Sequence, residues 1–240
     1  MTAQAMILAA GRGERMKPLT DTTPKPLLQV RGKPLLQWPL EALARGGFTE
    51  VLINTAWLGD QISQKFGAVF SPNVALTYSH EGRDFGGALE TAGGIARAMT
   101  KLGDVFWVIA GDVFAPDFEF SPVAIDRFKA SGKLAHLWLV PNPDHNPRGD
   151  FGLSPEGLAV NLAKDPSHVM YTYSTIGLYR KAFFAPPFCS IPAGNSNGIK
   201  APLAPLLRAA MDAGQVSAEI YAGQWTDVGT PARLALLNKN

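Results

Sequence analysis

The stretch Ala5–Leu28 constrains the fold more than any other part of the chain. Ala5 to Ala9 is an unbroken apolar run halted by a glycine, the pattern of a strand buried on both faces. Gly11 and Gly13 follow, and a turn free of Cβ atoms lets successive backbone N–H groups curl round an anion. Arg15, Lys17 and Lys25 then cluster just beyond the strand end. A strand, a glycine turn and cations describe a phosphate site at the carboxyl edge of an α/β sheet. The same residues would also serve an ordinary βα turn with surface lysines. The spacing excludes two alternatives. G-x-x-x-x-G-K-[ST] is absent, so this is no Walker A loop, and Met16 stands where a dinucleotide fingerprint needs its third glycine.

Composition narrows the class. The 240 residues carry 22 basic and 20 acidic side chains, a net charge of +2, too balanced for a nucleic-acid footprint. The hydrophobic share of 46% supports a sizeable core. A single cysteine, Cys189, rules out a disulfide framework or a cysteine-based zinc site. No apolar run approaches ~18 residues and no leader pattern opens the chain, so a cytoplasmic protein without membrane contact is expected.

Strands alternate with helices in the manner of a mostly parallel sheet. Helical spacing covers Leu35 to Ala44, Leu58 to Phe66, Thr91 to Met99, Ile125 to Ala130 and Leu203 to Ala213. Strands are expected at 50–54, 74–79, 105–110, 135–140, 171–179, 216–221 and 224–227. Gly82 to Gly87 reads as a mobile polar loop. A last helix starts at Thr230-Pro231, a cap followed by proline at the first helical position. The expected fold is α/β and Rossmann-like: a mostly parallel central sheet, helices on both faces, and a small sugar-binding part. The chain reads as one domain, residues 1–240, with a boundary near Pro141 between halves 1–140 and 141–240.

Asp112 ends the most apolar strand, where an open sheet delivers side chains to its crevice, although a turn aspartate after glycine is the plainer reading. Asp227, in WTDVGT, likewise ends a strand, and helix-start capping is its alternative. Two carboxylates beside three cations suggest Mg²⁺, which takes one or two carboxylates, several waters and substrate phosphates. His80, His136, His145 and His168 lack paired metal spacing and read as surface or core residues. Trp107 and Trp138 read as strand core.

Leu8 to Met16, with Pro18 and Thr23-Pro24-Lys25-Pro26-Leu27, closely resembles the signature of sugar-1-phosphate nucleotidylyltransferases. The resemblance implies a loop of Ala10, Gly11, Gly13, Glu14 and Arg15 wrapping a nucleoside triphosphate, joined by Thr91, with Arg15 and Lys25 on its phosphates. It also implies that Asp112 and Asp227 bind the metal. In the family, a residue shortly before the Glu90-Thr91 turn reads the nucleobase edge, and Glu81 matches that position. A carboxylate only accepts hydrogen bonds, so Glu81 would favour uracil, thymine or guanine and disfavour adenine and cytosine; a solvated loop glutamate is the alternative. Asp150, in RGDF, matches a sugar-contacting aspartate, although an exposed turn residue fits equally.

Within the family the chain most resembles the N-acetylmuramate α-1-phosphate uridylyltransferases of bacterial cell-wall (peptidoglycan) recycling. LAAGRGERMKPLT, INTAW, ETAGGI, RGDF and APLLRAAM are shared. The implied substrates are UTP and the sugar 1-phosphate. Ala110 and Thr175 depart from these relatives, Ala110 replacing a substrate-contacting side chain and Thr175 a glycine. Arg148, Lys200 and Arg208 are candidate partners for the lactyl carboxylate. Mannose-1-phosphate guanylyltransferase and glucose-1-phosphate thymidylyltransferase remain alternatives, as does a nucleotide-sugar sensor. The sequence carries no hexapeptide repeat, which argues against a bifunctional acetyltransferase.

Overall fold

In the computed structural model, which describes residues 3–161 and 169–239, strand β1 (Ala3–Ala9) lies at the centre. Alternate residues of a strand face opposite ways, so a sheet covered on both sides must be apolar at every position. Met6 packs into one core with Leu52, Val108 and Phe106. Ala5 and Ile7 pack into the other with Ile53, Trp107 and Ile109. Trp107 and Trp138 are strand core, as expected. His168 lies outside the described residues.

After β1 the chain forms the hairpin β2 (Gln29–Val30) and β3 (Lys33–Pro34), then α1 (Gln37–Arg45) and β4 (Glu50–Thr55). Next come α2 (Gly59–Phe66), β5 (Val69–Phe70), β6 (Val74–His80), α3 (Glu81–Phe85), α4 (Glu90–Ala98) and β7 (Leu102–Ala110). β8 (Val113–Phe114), α5 (Pro122–Ser131) and β9 (Ala135–Val140) follow. The remainder supplies β10 (Phe151–Leu153), β11 (Ala159–Val160), β12 (Met170–Arg180), α6 (Ala204–Asp212), β13 (Val216–Ile220), β14 (Thr226–Asp227) and α7 (Pro231–Leu237).

The sheet has a parallel centre, β6-β4-β1-β7, with β12 running antiparallel beside β7. β9 pairs with β12 and carries β13, while β10 and β11 extend the opposite end of β12. Residues beyond Pro141 therefore build part of the same sheet. The caps follow local chemistry. Ser121 and Thr230 each accept a backbone N–H at the start of a helix whose first residue is proline.

One expectation is corrected. The loop expected over Gly82 to Gly87 is reduced to its last two glycines, because Glu81–Phe85 is helical. Its turns are tied by Arg83 to Asp60 and by Arg97 to Asp84, both at 2.7 Å. Gly82 lies so close to Ala56 that a Cβ would approach its carbonyl oxygen to 2.5 Å. No helix among the described residues is long and apolar enough to cross a membrane.

Candidate active site

The carboxyl ends of β1, β4 and β7 open into a cavity of about 540 Å³. Its floor depends on close backbone approach. The Gly111 amide donates to the Leu8 carbonyl at 2.8 Å, and a Cβ on Gly111 would stand 3.0 Å from that oxygen. Ala10, Gly11 and Gly13 line the cavity, and Thr91 lines its wall at the start of α4. Gly13 needs its φ of 68°. A side chain there would also crowd Thr20 and the stem of Lys25, which passes behind it.

Lys25 is 9% exposed, and its ammonium donates to the carboxylate of Asp112 at the cavity wall. Arg15 and Glu14 lie outside that wall. Glu14 pairs instead with Lys17 at 2.7 Å, which holds its carboxyl below the ordinary range. The guanidinium of Arg15 passes over Gly229, in the second aspartate's motif; a Cβ there would come within 3.2 Å of it.

Asp112 and Asp227 are brought together by the antiparallel pair β8–β14. Asp227 stands opposite Val113, and the Val228 amide donates to the Asp112 carbonyl at 2.8 Å. Each carboxylate faces cations: Lys25 on Asp112, Arg233 and His145 on Asp227. His145, read as a surface or core residue, therefore touches a candidate ligand. Both carboxylates are hard oxygen donors on neighbouring strands, the kind Mg²⁺ takes, but each is engaged by protein cations here, and only Asp112 lines the cavity. No trio of His, Cys, Asp or Glu among the described residues forms a self-contained cage.

Glu81 requires a correction. It is fully buried and absent from the cavity wall. One oxygen accepts from Asn54 Nδ2 at 2.7 Å and the other from the Leu89 amide at 2.8 Å. Burial raises its pKa, opposed by those two donors. Its acceptors are spent inside the protein, so the contact with a base edge is replaced by a scaffold role. Asn54, at the end of β4, does line the cavity, and its Oδ1 accepts from the Ala9 amide at 2.8 Å. Gly94 leaves space for this pair, since a Cβ would meet Glu81 at 2.5 Å and Asn54 at 2.9 Å. The sequence signal for Asn54 was an amide closing an otherwise apolar strand.

At the far end of the cavity stands Asp150. Its Oδ2 accepts from the Tyr173 amide at 2.9 Å and its Oδ1 from Asn146 at 3.2 Å. Gly149, at φ 63°, permits this turn, because a Cβ would press on the backbone of Tyr171. Arg208 from α6 lines the same end, stacked 5.1 Å from the Phe151 ring and bonded to Asn161 at 2.6 Å. Arg148 and Lys200 are exposed and outside the wall. Thr175 also faces the cavity, in a left-handed backbone at φ 62°. One end thus offers glycine amides, a lysine and a carboxylate; the other offers a carboxylate, a guanidinium and hydroxyls. Glu90 also lines the wall, so the two cations, Lys25 and Arg208, stand apart among three carboxylates, each marking one place for an anionic group.

Residues 4–240 match the family described as nucleotidyl transferase. An N-acetylmuramate α-1-phosphate uridylyltransferase of Neisseria meningitidis is 47% identical over 96% of this chain and 95% of its own length. A UTP–glucose-1-phosphate uridylyltransferase of Synechocystis is 28% identical, covering 94% of this chain and 60% of that one. Among solved structures, a Bacillus anthracis chain described as a glucose-1-phosphate thymidylyltransferase superposes with a TM-score of 0.81 at 21% identity, covering 98% of this chain and 94% of that one. HddC of Yersinia pseudotuberculosis, complexed with GMP-PN, gives 0.71 at 19% identity, covering 99% of each chain. These two structures share the fold.

Proposed function

The chain belongs to the nucleotidyl transferase family, and from that premise we infer that it transfers a uridylyl group from UTP to N-acetylmuramate α-1-phosphate. The products are UDP-N-acetylmuramate and pyrophosphate. The observation carrying this reading is 47% identity, over nearly the whole of both chains, to a protein of that activity. Residues 1–140 supply the nucleotide half and 141–240 most of the sugar half, in the cytoplasm, where peptidoglycan fragments are recycled.

In this reaction an oxygen of the sugar phosphate attacks the α-phosphorus in line, and pyrophosphate leaves. A phosphate monoester carries about 1.5–2 negative charges at pH 7, so no protein base is required. The protein must hold two anions that repel each other and offset charge growing on the leaving group. The Ala10–Gly13 amides cradle the triphosphate, Lys25 meets the α-phosphate and Arg15 the pyrophosphate portion. Asp112 and Asp227 are the residues to hold Mg²⁺, which would supply charge neutralisation to the phosphates. Asp150 accepts from a sugar hydroxyl.

Arg208 is the cation for the lactyl carboxylate, since it alone among Arg148, Lys200 and Arg208 lines the cavity. Kinetics of Arg208→Ala with N-acetylmuramate and N-acetylglucosamine 1-phosphates test this. The preference for the muramate should fall roughly tenfold or more, the scale of one charge-assisted contact. An unchanged preference would remove Arg208 from that role.

A further inference from the structure

We propose that Trp57 is a positioning residue for the triphosphate turn, acting through Arg12. The idea rests on the reading above, that Ala10–Arg15 binds the nucleotide, and it assigns a task to two side chains that reading leaves unused. Arg12 lies between the two glycines, yet its guanidinium does not face the cavity. It is stacked on the Trp57 indole with its central carbon 3.6 Å from the ring centroid. Arg12 Nη1 and Trp57 Nε1 both donate to the Thr20 carbonyl at 2.9 Å. Thr20 is fully buried, and its hydroxyl donates to the Gly13 carbonyl at 2.8 Å. Gln61 of α2 adds a second tie, donating to the Thr22 carbonyl at 3.0 Å.

The charge of Arg12 is also engaged, by Asp21 at 3.3 Å and Glu14 at 3.6 Å. The guanidinium is therefore a strut running from the turn to the end of β4. Glycine backbones have the most conformational freedom to lose, so an amide cradle built on two of them gains affinity when braced in advance. Lys25 and Asp112 are held by their own ion pair, which does not involve the strut. Loss of the strut should thus weaken nucleotide binding and spare the chemical step.

The experiment measures the equilibrium Kd for UTP, and then kcat and both KM values, for wild type, Trp57→Ala, Trp57→Phe, Arg12→Ala and the double variant R12A/W57A. Trp57→Ala should raise Kd and KM for UTP about five- to tenfold, the scale of a part-desolvated cation–π pair with its hydrogen bond. The kcat and the sugar-phosphate KM should stay within about twofold. Trp57→Phe keeps the ring face and should recover most of the affinity. The double variant should lose about as much as Arg12→Ala alone and less than the sum of the two single losses, because Trp57 acts through Arg12. Unchanged or tighter UTP binding in Trp57→Ala, additive losses in the double variant, or equal damage to both substrates would overturn the proposal. Arg12→Ala and Trp57→Phe decide the matter should Trp57→Ala fail to fold. Wild-type protein that turns over UTP while the variants bind it normally removes only the strut; wild-type protein that neither binds nor uses UTP removes the activity as well.

Discussion

Lys25 and Asp112, 87 positions apart in the chain, close an ion pair on the wall of the cavity. The Lys25 side chain is 11% exposed and that of Asp112 35%, so the lysine is the more deeply committed partner. The pair holds both side chains in place before substrates arrive, the ammonium as a group that attracts phosphate and the carboxylate as one that attracts a cation. Lys25→Ala or Asp112→Asn should lower kcat by roughly 10²–10³, the loss seen when one electrostatic stabiliser is removed. Steady-state rates on protein confirmed as folded by circular dichroism check this; near-wild-type turnover in either variant would displace these residues from the mechanism.

Glu81→Gln should destabilise the fold by about 1–3 kcal/mol. Asn54 Nδ2 and the Leu89 amide both point donors at Glu81, and a glutamine would turn an NH₂ group toward one of them. The pH dependence has a definite sign. Burial lifts the native pKa above 4.5, so the folded state keeps a proton that the unfolded chain has lost. This contribution is complete below about 4.5 and fades as pH rises through the raised native value. Glutamine cannot titrate, so denaturant unfolding from pH 4 to 8 should show the falling limb in wild type and lose that component in the variant.

The opening strand and its glycine turn are legible because their determinants are local: an apolar run, then residues without side chains. Asp112 is legible for a similar reason, since the end of a buried strand fixes where its neighbour points. Glu81 is not. Nothing near it in sequence announces burial, and its partner Asn54 lies 27 positions away on another strand. The same limit hid α3, whose two nearby glycines and alternating charges resemble a loop. Its ion-pair partners, Asp60 and Arg97, lie outside the segment, and Glu81 at its start is buried against Asn54. Arg148, Lys200 and Arg208 look alike as letters, and only the packing of α6 against β11 and β13 brings Arg208 to the cavity.

Thr175→Gly should stabilise the protein. Ser174 fixes a bulge in β12 by donating to the Trp138 carbonyl at 2.6 Å and accepting from the Ile176 amide at 3.1 Å, while Trp225 donates to its carbonyl at 3.0 Å. That arrangement holds the next residue at φ 62°, where a branched L side chain costs roughly 1–2 kcal/mol. This is also the physical reason a glycine suits the position. After the entropy cost of glycine, a net gain of up to about 1 kcal/mol, or roughly 2–4 °C in Tm, is expected. The enlarged cavity should admit bulkier sugar phosphates; a lower Tm would show that the threonine side chain contributes more than its backbone costs.

The most direct measurement is pyrophosphate release, with UTP, dTTP, GTP, ATP and CTP each paired with N-acetylmuramate, N-acetylglucosamine, glucose and mannose 1-phosphates, with and without Mg²⁺. The account predicts the highest kcat/KM for UTP with N-acetylmuramate 1-phosphate, and activity that disappears with EDTA and returns with Mg²⁺. A maximum with GTP and mannose 1-phosphate, or metal-independent turnover, would contradict it.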